Sequence, residues 1–489
     1  MNITAVNEVL TSISDALYAS ILVALLVGVG IYLTVRTRAV QVRHFAEMLR
    51  SVAGSRRGAE GGISSFQAFA ISLAARVGIG NIAGVAIALT LGGPGAIFWM
   101  WMVALVGMAT AFCEAVLAQT FKVRWPDGTF RGGPAYYIRR GLRSKGMAAA
   151  FAVLCVVAMT FGVIMVQANT ISGTLAGHGV TSGWSAVVLV VLTAPVILGG
   201  IRSVARVAEY LAPIMAAAYV LLMAVVLVLN LPEVPAALGQ IFRGAFGLDP
   251  ALAGTAGGIV AAVLNGVRRG LFSNEAGMGT APNAAGTATV GHPVQQGLIQ
   301  ALGVFIDTII ICTATALLIL LAGPSVYTPG VTPETAGASL TQDAVAASLG
   351  GWTAWPMTVI IFVFAYSSIL GAYTYAQVNL DYLGGRGRVQ KTWELVTVAA
   401  VGLGAVLTLT TVWSMSDIFT GLMTVLNLVA LVMLVPWVAA VLRDYERQRV
   451  GVRTAPTAPA VEDGPHFRSD AAPLPAELPG EVWATASRR

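Results

Sequence analysis

Apolar residues run along this chain in blocks of about twenty, the length a helix needs to cross the hydrocarbon core of a bilayer. The blocks begin at Ala16 and recur as far as Leu442. With no water in that core, every backbone N–H and C=O must be paired within the protein, so the blocks form helices. The pattern predicts eleven spans, at about 16–35, 64–90, 95–121, 147–176, 184–200, 207–230, 253–282, 294–322, 353–383, 393–412 and 415–442. The first block is read as a span rather than a cleaved leader, because Glu8 and Asp15 precede it and no Lys or Arg does. Residues 324–352 are polar and rich in Gly, Pro and Thr, which predicts an outer loop with short helices. After Arg443 the chain turns to Pro, Ala and charge, as in 454-TAPTAPAVEDGPH-466, a composition expected to stay disordered. The predicted organisation is an N-terminal helix and linker (1–62), a ten-helix core (63–443) and a cytoplasmic tail (444–489).

Composition agrees: 56% of the 489 residues are hydrophobic and 11% charged, about half the charge of a soluble domain. Charge placement then tests the span count. With the N-terminus outside, 25 of the 29 Lys and Arg fall in inward loops and the tail, and only Arg243 falls in an outward loop. The other three, Arg76, Arg268 and Arg269, lie within spans. An error of one span would scramble this asymmetry, which is the one membrane insertion imposes. The basic residues are spread over loops, which argues against nucleic acid as a partner. Cys113, Cys155 and Cys312 each sit inside a span as small buried residues, and His44, His178, His292 and His466 are too scattered to ligate a metal.

Two of the ten core spans contain glycine-interrupted stretches, 74-AARVGIGNIAG-84 and 270-GLFSNEAGMGTAPNAAG-286, at corresponding places in two five-span halves. Paired interruptions of this kind point to an inverted repeat with a binding site at the membrane midplane. Glycine permits backbone that a helix interior forbids, so the first helix opens around Ile79. N–H groups freed at the start of the second half-helix suit a carboxylate, and carbonyls freed at the end of the first suit a dehydrated sodium ion. The plainer alternative is that the glycines only let helices pack closely. Polar residues buried in other spans weigh against it. Ser273, Asn274 and Glu275 occupy the second break; Gln167 and Asn169 interrupt an apolar helix; Ser367 and Ser368 offer the hydroxyl oxygens a hard cation prefers. Gln167 has amide donors able to reach a carboxylate. Glu114 reads as structural, paired with a cytoplasmic-side arginine, and Asp307 as a modulator of ion binding.

The run 92-GGPGAIFWMWMVALVG-107 resembles the signature of the sodium:alanine symporter family, and 66-FQAFAISLAARVGIGNIAGVA-86, 132-GGPAYYI-138 and 269-RGLFSNEAGMGTAP-282 resemble it too. The resemblance covers about residues 15–445. It implies an all-α membrane protein of the leucine-transporter type: five plus five inverted helices and one added N-terminal helix, in a bacterial inner membrane. It also implies sodium-coupled import of a small neutral amino acid, alanine or glycine, with no enzymatic activity. Carried onto this chain, backbone N–H groups around Ile79 and Gly80 hold the substrate carboxylate, supported by Asn81 and Gln167. Phe272, Ser273 and Asn274 line the opposite side. Carbonyls of Ala74, Val77 and Phe364 with the hydroxyls of Ser367 and Ser368 bind sodium.

The chain departs from the family at Ile79, commonly Thr; at Ala372, where Trp is expected; and at Gln377, commonly acidic. Losing an indole at 372 predicts free volume and a substrate larger than alanine, or another side chain filling the gap. The rivals are proton coupling, a larger neutral substrate such as glutamine, serine or methionine, and an amino-acid sensor signalling through the tail.

Overall fold

The computed structural model describes residues 3–55, 63–126, 128–248, 258–333, 336–454, 465–469, 472–479 and 482–483. The rest of the predicted linker and tail lies outside them. Nearly everything is helical, apart from one two-stranded hairpin pairing Val123–Arg124 with Phe130–Arg131. Among the described residues, seven helices are long and apolar enough to cross a membrane: α1 (Asn7–Arg36), α4 (Gly95–Thr120), α5 (Lys145–Ala176), one over Ser203–Leu229, α10 (Pro293–Leu321), one over Gly351–Tyr382 and one over Leu409–Arg449. A bent pair, α2 (Ser65–Arg76) and α3 (Ala83–Gly92), makes an eighth. The remaining predicted spans correspond to α6 (Ser182–Leu198), α8 (Gly258–Asn274) and α12 (Arg388–Val406), with α7 (Gly200–Leu229) between the first two. α6 and α8 are each 17 residues long, short of a full crossing. The predicted loop at 202–206 is helical, because α7 begins at Gly200.

The helices end where the sequence supplies the chemistry to end them. α2 opens on a reciprocal cap in which Gln67 N–H donates to Ser64 Oγ and Ser64 N–H to Gln67 Oε1, both at 3.0 Å. It stops at Val77, whose ψ is 75°, and Gly78 is extended before a single tight turn, Ile79–Asn81. The two half-helices then diverge by 52°. α8 ends at Asn274 and is followed by three residues in the left-handed region, Glu275 (φ 55°), Gly277 (97°) and Gly279 (81°), before the short α9 (Ala281–Ala285). Glycine tolerates that region at little cost, whereas Glu275 is held there under strain.

α4 is the spine on which α8 and α10 pack, while α11 (Ala354–Tyr382) packs on α2 and α5. α5 and α10 each carry one wider π-helical stretch, Ala158–Val163 and Phe305–Cys312. Such stretches displace side chains from the regular helical register and recur at functional positions. The outer loop holds a helix, Gly337–Leu349, and Tyr327 donates its hydroxyl to the Leu89 carbonyl (2.7 Å) near the end of α3.

The disorder expected of the tail does not hold for its described parts. α13 (Leu409–Thr454) runs past the predicted membrane boundary, and His466 N–H donates to Gln448 Oε1 within it at 2.9 Å. Phe467 N–H donates to the Gly291 carbonyl (2.8 Å) and Trp483 Nε1 to the Gln119 carbonyl (3.0 Å). Phe467 and Trp483 stack edge to face at 5.3 Å. Two aromatic anchors thus supply the apolar burial that the average composition of the tail conceals. Beneath Trp483 lies Lys122, whose burial pulls its ammonium down to about 7.

Candidate functional site

α2 ends facing α11, and there its last carbonyls lose their helical partners. Gly78 N–H turns to the Arg76 carbonyl and Asn81 Oδ1, and Ile79 N–H to Gln167 Oε1. The carbonyls of Ala74 and Ala75, which an unbroken helix would have paired with those two N–H groups, face serine hydroxyls instead. Ser368 Oγ lies 3.0 Å from both carbonyl oxygens and 3.1 Å from that of Phe364. Ser367 Oγ lies 3.2 Å from the Ala74 oxygen and 2.8 Å from that of Phe364. Two hydroxyl hydrogens serve three carbonyls, so oxygen lone pairs exceed donors. Neutral oxygens in excess are the ligand set of a hard, weakly charged cation. Of the predicted ion ligands, Ala74, Phe364, Ser367 and Ser368 are brought together, and Ala75 joins them. Val77 lies at the break itself, with no contact drawing its carbonyl into the cluster. Gly78 permits the approach, since a methyl group there would fall 2.0 Å from Ser368 Oγ.

Beside the cluster a cavity opens between the two breaks, lined by Ala75, Arg76 and Gly80 from the first, Phe272, Glu275 and Met278 from the second, and Val163 and Gln167 from α5. It measures about 10 Å³, room for about one water molecule. The two breaks are in contact: a methyl on Gly80 would stand 3.1 Å from Ser273 Cα and 3.2 Å from the Phe272 ring. Gln167 Oε1 accepts the Ile79 N–H at 3.4 Å, a long bond that a stronger acceptor could replace.

Three predicted substrate residues point elsewhere. Asn81 Nδ2 donates to the Asp307 carbonyl (3.0 Å) and to its carboxylate, and Ser273 Oγ donates to the same carboxylate (2.8 Å). Asn274 Oδ1 accepts the Ala276 N–H at 2.9 Å. Irregular backbone leaves amides without partners, and these side chains supply them or are pinned by Asp307. Asp307 therefore ties the two breaks together. Glu114 is structural, but its partners are the Gly279 N–H (3.0 Å) and Asn427 Nδ2 (2.6 Å) rather than an arginine. Asn169 donates to the Gly404 and Leu407 carbonyls, joining α5 to α12.

Ala372 is buried and does not line the cavity. Its neighbour Gly371 abuts Ala75 so closely that a methyl there would stand 2.5 Å from Ala75 Cβ. An indole comes from elsewhere: Trp413 of α13 lies 4.7 Å from Phe272. Gln377 donates to Asp381 Oδ1 (2.8 Å), a bond an acidic side chain there could make only when protonated.

Ion pairs close the bundle on both sides of the cavity. Arg269 Nη2 meets Asp417 Oδ2 at 2.6 Å, with both side chains only 4% exposed, and the guanidinium covers the Trp413 ring at 4.5 Å. At the other end Arg131 Nε meets Asp381 Oδ2 at 2.6 Å. Sequence reasoning passed over Arg76, Arg269, Trp413 and Asp417 as site residues. Arg76 and Arg269 were visible as charges within spans, a signal of function in itself; the other two carried none.

The sodium:alanine symporter family matches residues 3–458. The chain belongs to that family. It is therefore a multi-pass amino-acid transporter, and not an enzyme. GlnT of Bacillus subtilis (strain 168), described as a probable sodium/glutamine symporter, is 42% identical over 443 residues, 89% of this chain and 90% of its own. The amino-acid carrier protein AlsT of the same strain is 44% identical over 433 residues, 87% of this chain and 89% of its own. The crystal structure of MhsT in complex with L-phenylalanine shares the fold, with a TM-score of 0.58 and 14% identity over 79% of this chain and 93% of that one. The leucine-transporter fold expected from the sequence is thereby found.

Proposed function

We propose that this symporter imports a neutral α-amino acid together with sodium, by alternating access around the two broken helices. The observation that carries this is a neutral oxygen cluster directly beside the freed N–H of Ile79, so that a cation and a carboxylate would sit next to one another. Each would offset the desolvation of the other in a buried cavity. In this reading Ile79, Gly80 and Gln167 hold the substrate carboxylate, and Phe272 bears on its far side. The oxygens of Ala74, Ala75, Phe364, Ser367 and Ser368 hold sodium. Asn81, Ser273 and Asn274 brace the breaks. A cavity of about 10 Å³ admits no amino acid as it stands, so entry follows opening of either the Arg269–Asp417 side or the Arg131–Asp381 side.

We further propose eleven spans in a bacterial inner membrane, N-terminus outside and C-terminus in the cytoplasm, from the loop charges. Alanine and glycine are the substrates the family resemblance names, and size alone does not separate them from larger neutral amino acids. The deciding experiment is amino-acid uptake into proteoliposomes under an inward sodium gradient, with choline replacement and with a proton gradient alone. Uptake that needs sodium supports the proposal; equal uptake driven by protons in its absence refutes sodium coupling.

A further inference from the structure

The docked residues of the tail, His466 to Ser469 and Trp483, lie beyond residues 3–458, the stretch the family matches. They join three elements. His466 N–H donates to Gln448 Oε1 at 2.9 Å and Gln448 Nε2 to the His466 carbonyl at 2.8 Å, which fixes them to α13. Phe467 reaches the segment leading into α10, with its N–H on the Gly291 carbonyl (2.8 Å) and its ring 5.3 Å from that of His292. Trp483 Nε1 donates to the Gln119 carbonyl (3.0 Å) at the end of α4. The two ends of this strap are also tied to each other. Ser469 donates to the Trp483 carbonyl through its N–H (3.3 Å) and its hydroxyl (2.9 Å), and the Phe467 and Trp483 rings meet edge to face.

Beneath the strap lie two parts of the closure on this side of the bundle. Lys122 Nζ stands between the Trp483 ring (4.7 Å) and the Phe130 ring (4.2 Å), and it donates to the Ala288 carbonyl at 2.9 Å. Phe130 adjoins Arg131, whose pair with Asp381 shuts the bundle here. Thr289, next to Ala288, donates its N–H to the Ile63 carbonyl at 2.9 Å, two residues before α2 begins. We propose that the tail is an autoinhibitory strap, which when docked holds both the Arg131–Asp381 side and the start of α2 in their closed positions. This rests on the proposed alternating access. One short segment can keep its bonds to three elements only while those elements keep their spacing. Opening therefore breaks bonds and unstacks aromatic rings, so the docked tail binds the closed state better and shifts the equilibrium toward it. The same coupling works in reverse, and any factor that draws the tail away favours opening.

The test is the full chain carrying Phe467→Ala/Trp483→Ala, read in two ways. Val163 lines the central cavity and is 5% exposed, so in a Val163→Cys background a membrane-impermeant maleimide reports opening. The reagent is applied to inside-out membrane vesicles, and labelling of Cys113, Cys155 and Cys312, all buried, is subtracted with the parent chain. The expected result is labelling at least threefold faster in the double variant, and a higher initial rate of sodium-driven alanine uptake by the same variant without Val163→Cys. Unchanged labelling in a correctly inserted double variant overturns the strap. Faster labelling without faster uptake overturns autoinhibition, leaving a contact that does not limit transport. Should the double variant fail to fold, Gln448→Ala, which removes both bonds to His466 from a half-buried position, is read by the same two criteria. Absence of sodium-driven uptake of every amino acid by the wild type refutes the transport reading and autoinhibition with it, whereas failure of the strap alone leaves wild-type uptake intact.

Discussion

Removing both hydroxyls of the oxygen cluster, in Ser367→Ala/Ser368→Ala, is the sharpest test of where the coupling ion binds. Both side chains are buried, and each reaches carbonyls on α2 and α11 within 3.2 Å. A hydrogen bond or ligand contact to a charged group is worth about 1.5–3 kcal/mol, and a neutral one about 1 kcal/mol. Without the ion each hydroxyl makes the neutral contact, so the ion-specific loss is about 0.5–2 kcal/mol per hydroxyl. At about 1.4 kcal/mol per decade this is roughly a 2- to 30-fold rise in the sodium concentration for half-maximal uptake, for each serine. The losses need not add, because both hydroxyls share the Ala74 and Phe364 carbonyls. The assay is initial uptake rate against external sodium, at saturating amino acid, for the wild type, each single variant and the double variant. Membrane insertion is checked by monodispersity after extraction. An unchanged half-saturating sodium concentration in the double variant would refute the reasoning and place the ion elsewhere.

Three further outcomes follow from the geometry. Gly78→Ala should abolish uptake while leaving insertion intact, because its methyl would fall 2.0 Å from Ser368 Oγ; normal uptake would remove that approach from the site. Arg269→Ala leaves Asp417 buried without its partner and should cost about 3–5 kcal/mol, read as a lower unfolding temperature in detergent; a change within error would show that the pair is solvated. His44 bonds to Glu47 at 2.8 Å and Glu446 at 3.1 Å, and those bonds, Glu47 first, raise its imidazole above 6.5 against the effect of burial. A raised value means stability that is fully present below pH 6.5 and lost as pH climbs through the folded-state value. The unfolding temperature should therefore fall from pH 6 to 8.5 in the wild type and fall less in His44→Gln, and equal slopes would exclude His44 as the cause.

Much of this protein was legible without coordinates because bilayer physics leaves few choices. Long apolar blocks must be helices. The glycine interruptions at 77–81 and 272–279 had to open, since nothing else in those spans relaxes the helix. Ser367 and Ser368 could be picked out because they are adjacent serine hydroxyls in an apolar helix, and the helix confines where they point. Side chains on the non-helical stretches were not legible. Asn81 and Ser273 sit where backbone dihedrals depart from any fixed period, so only the folded arrangement shows that both turn to Asp307. Nor does local sequence bring together Arg269 and Asp417, 148 positions apart, or seat Trp413 on Phe272 in place of the indole expected at 372. The tail shows the same division: its composition is too polar to fold alone, and two aromatic residues fix parts of it because a preformed surface receives them. Chain chemistry determined which segments are helical and where they break; long-range packing decided which polar groups face the cavity, because a buried donor turns to whichever acceptor the other helices place within reach.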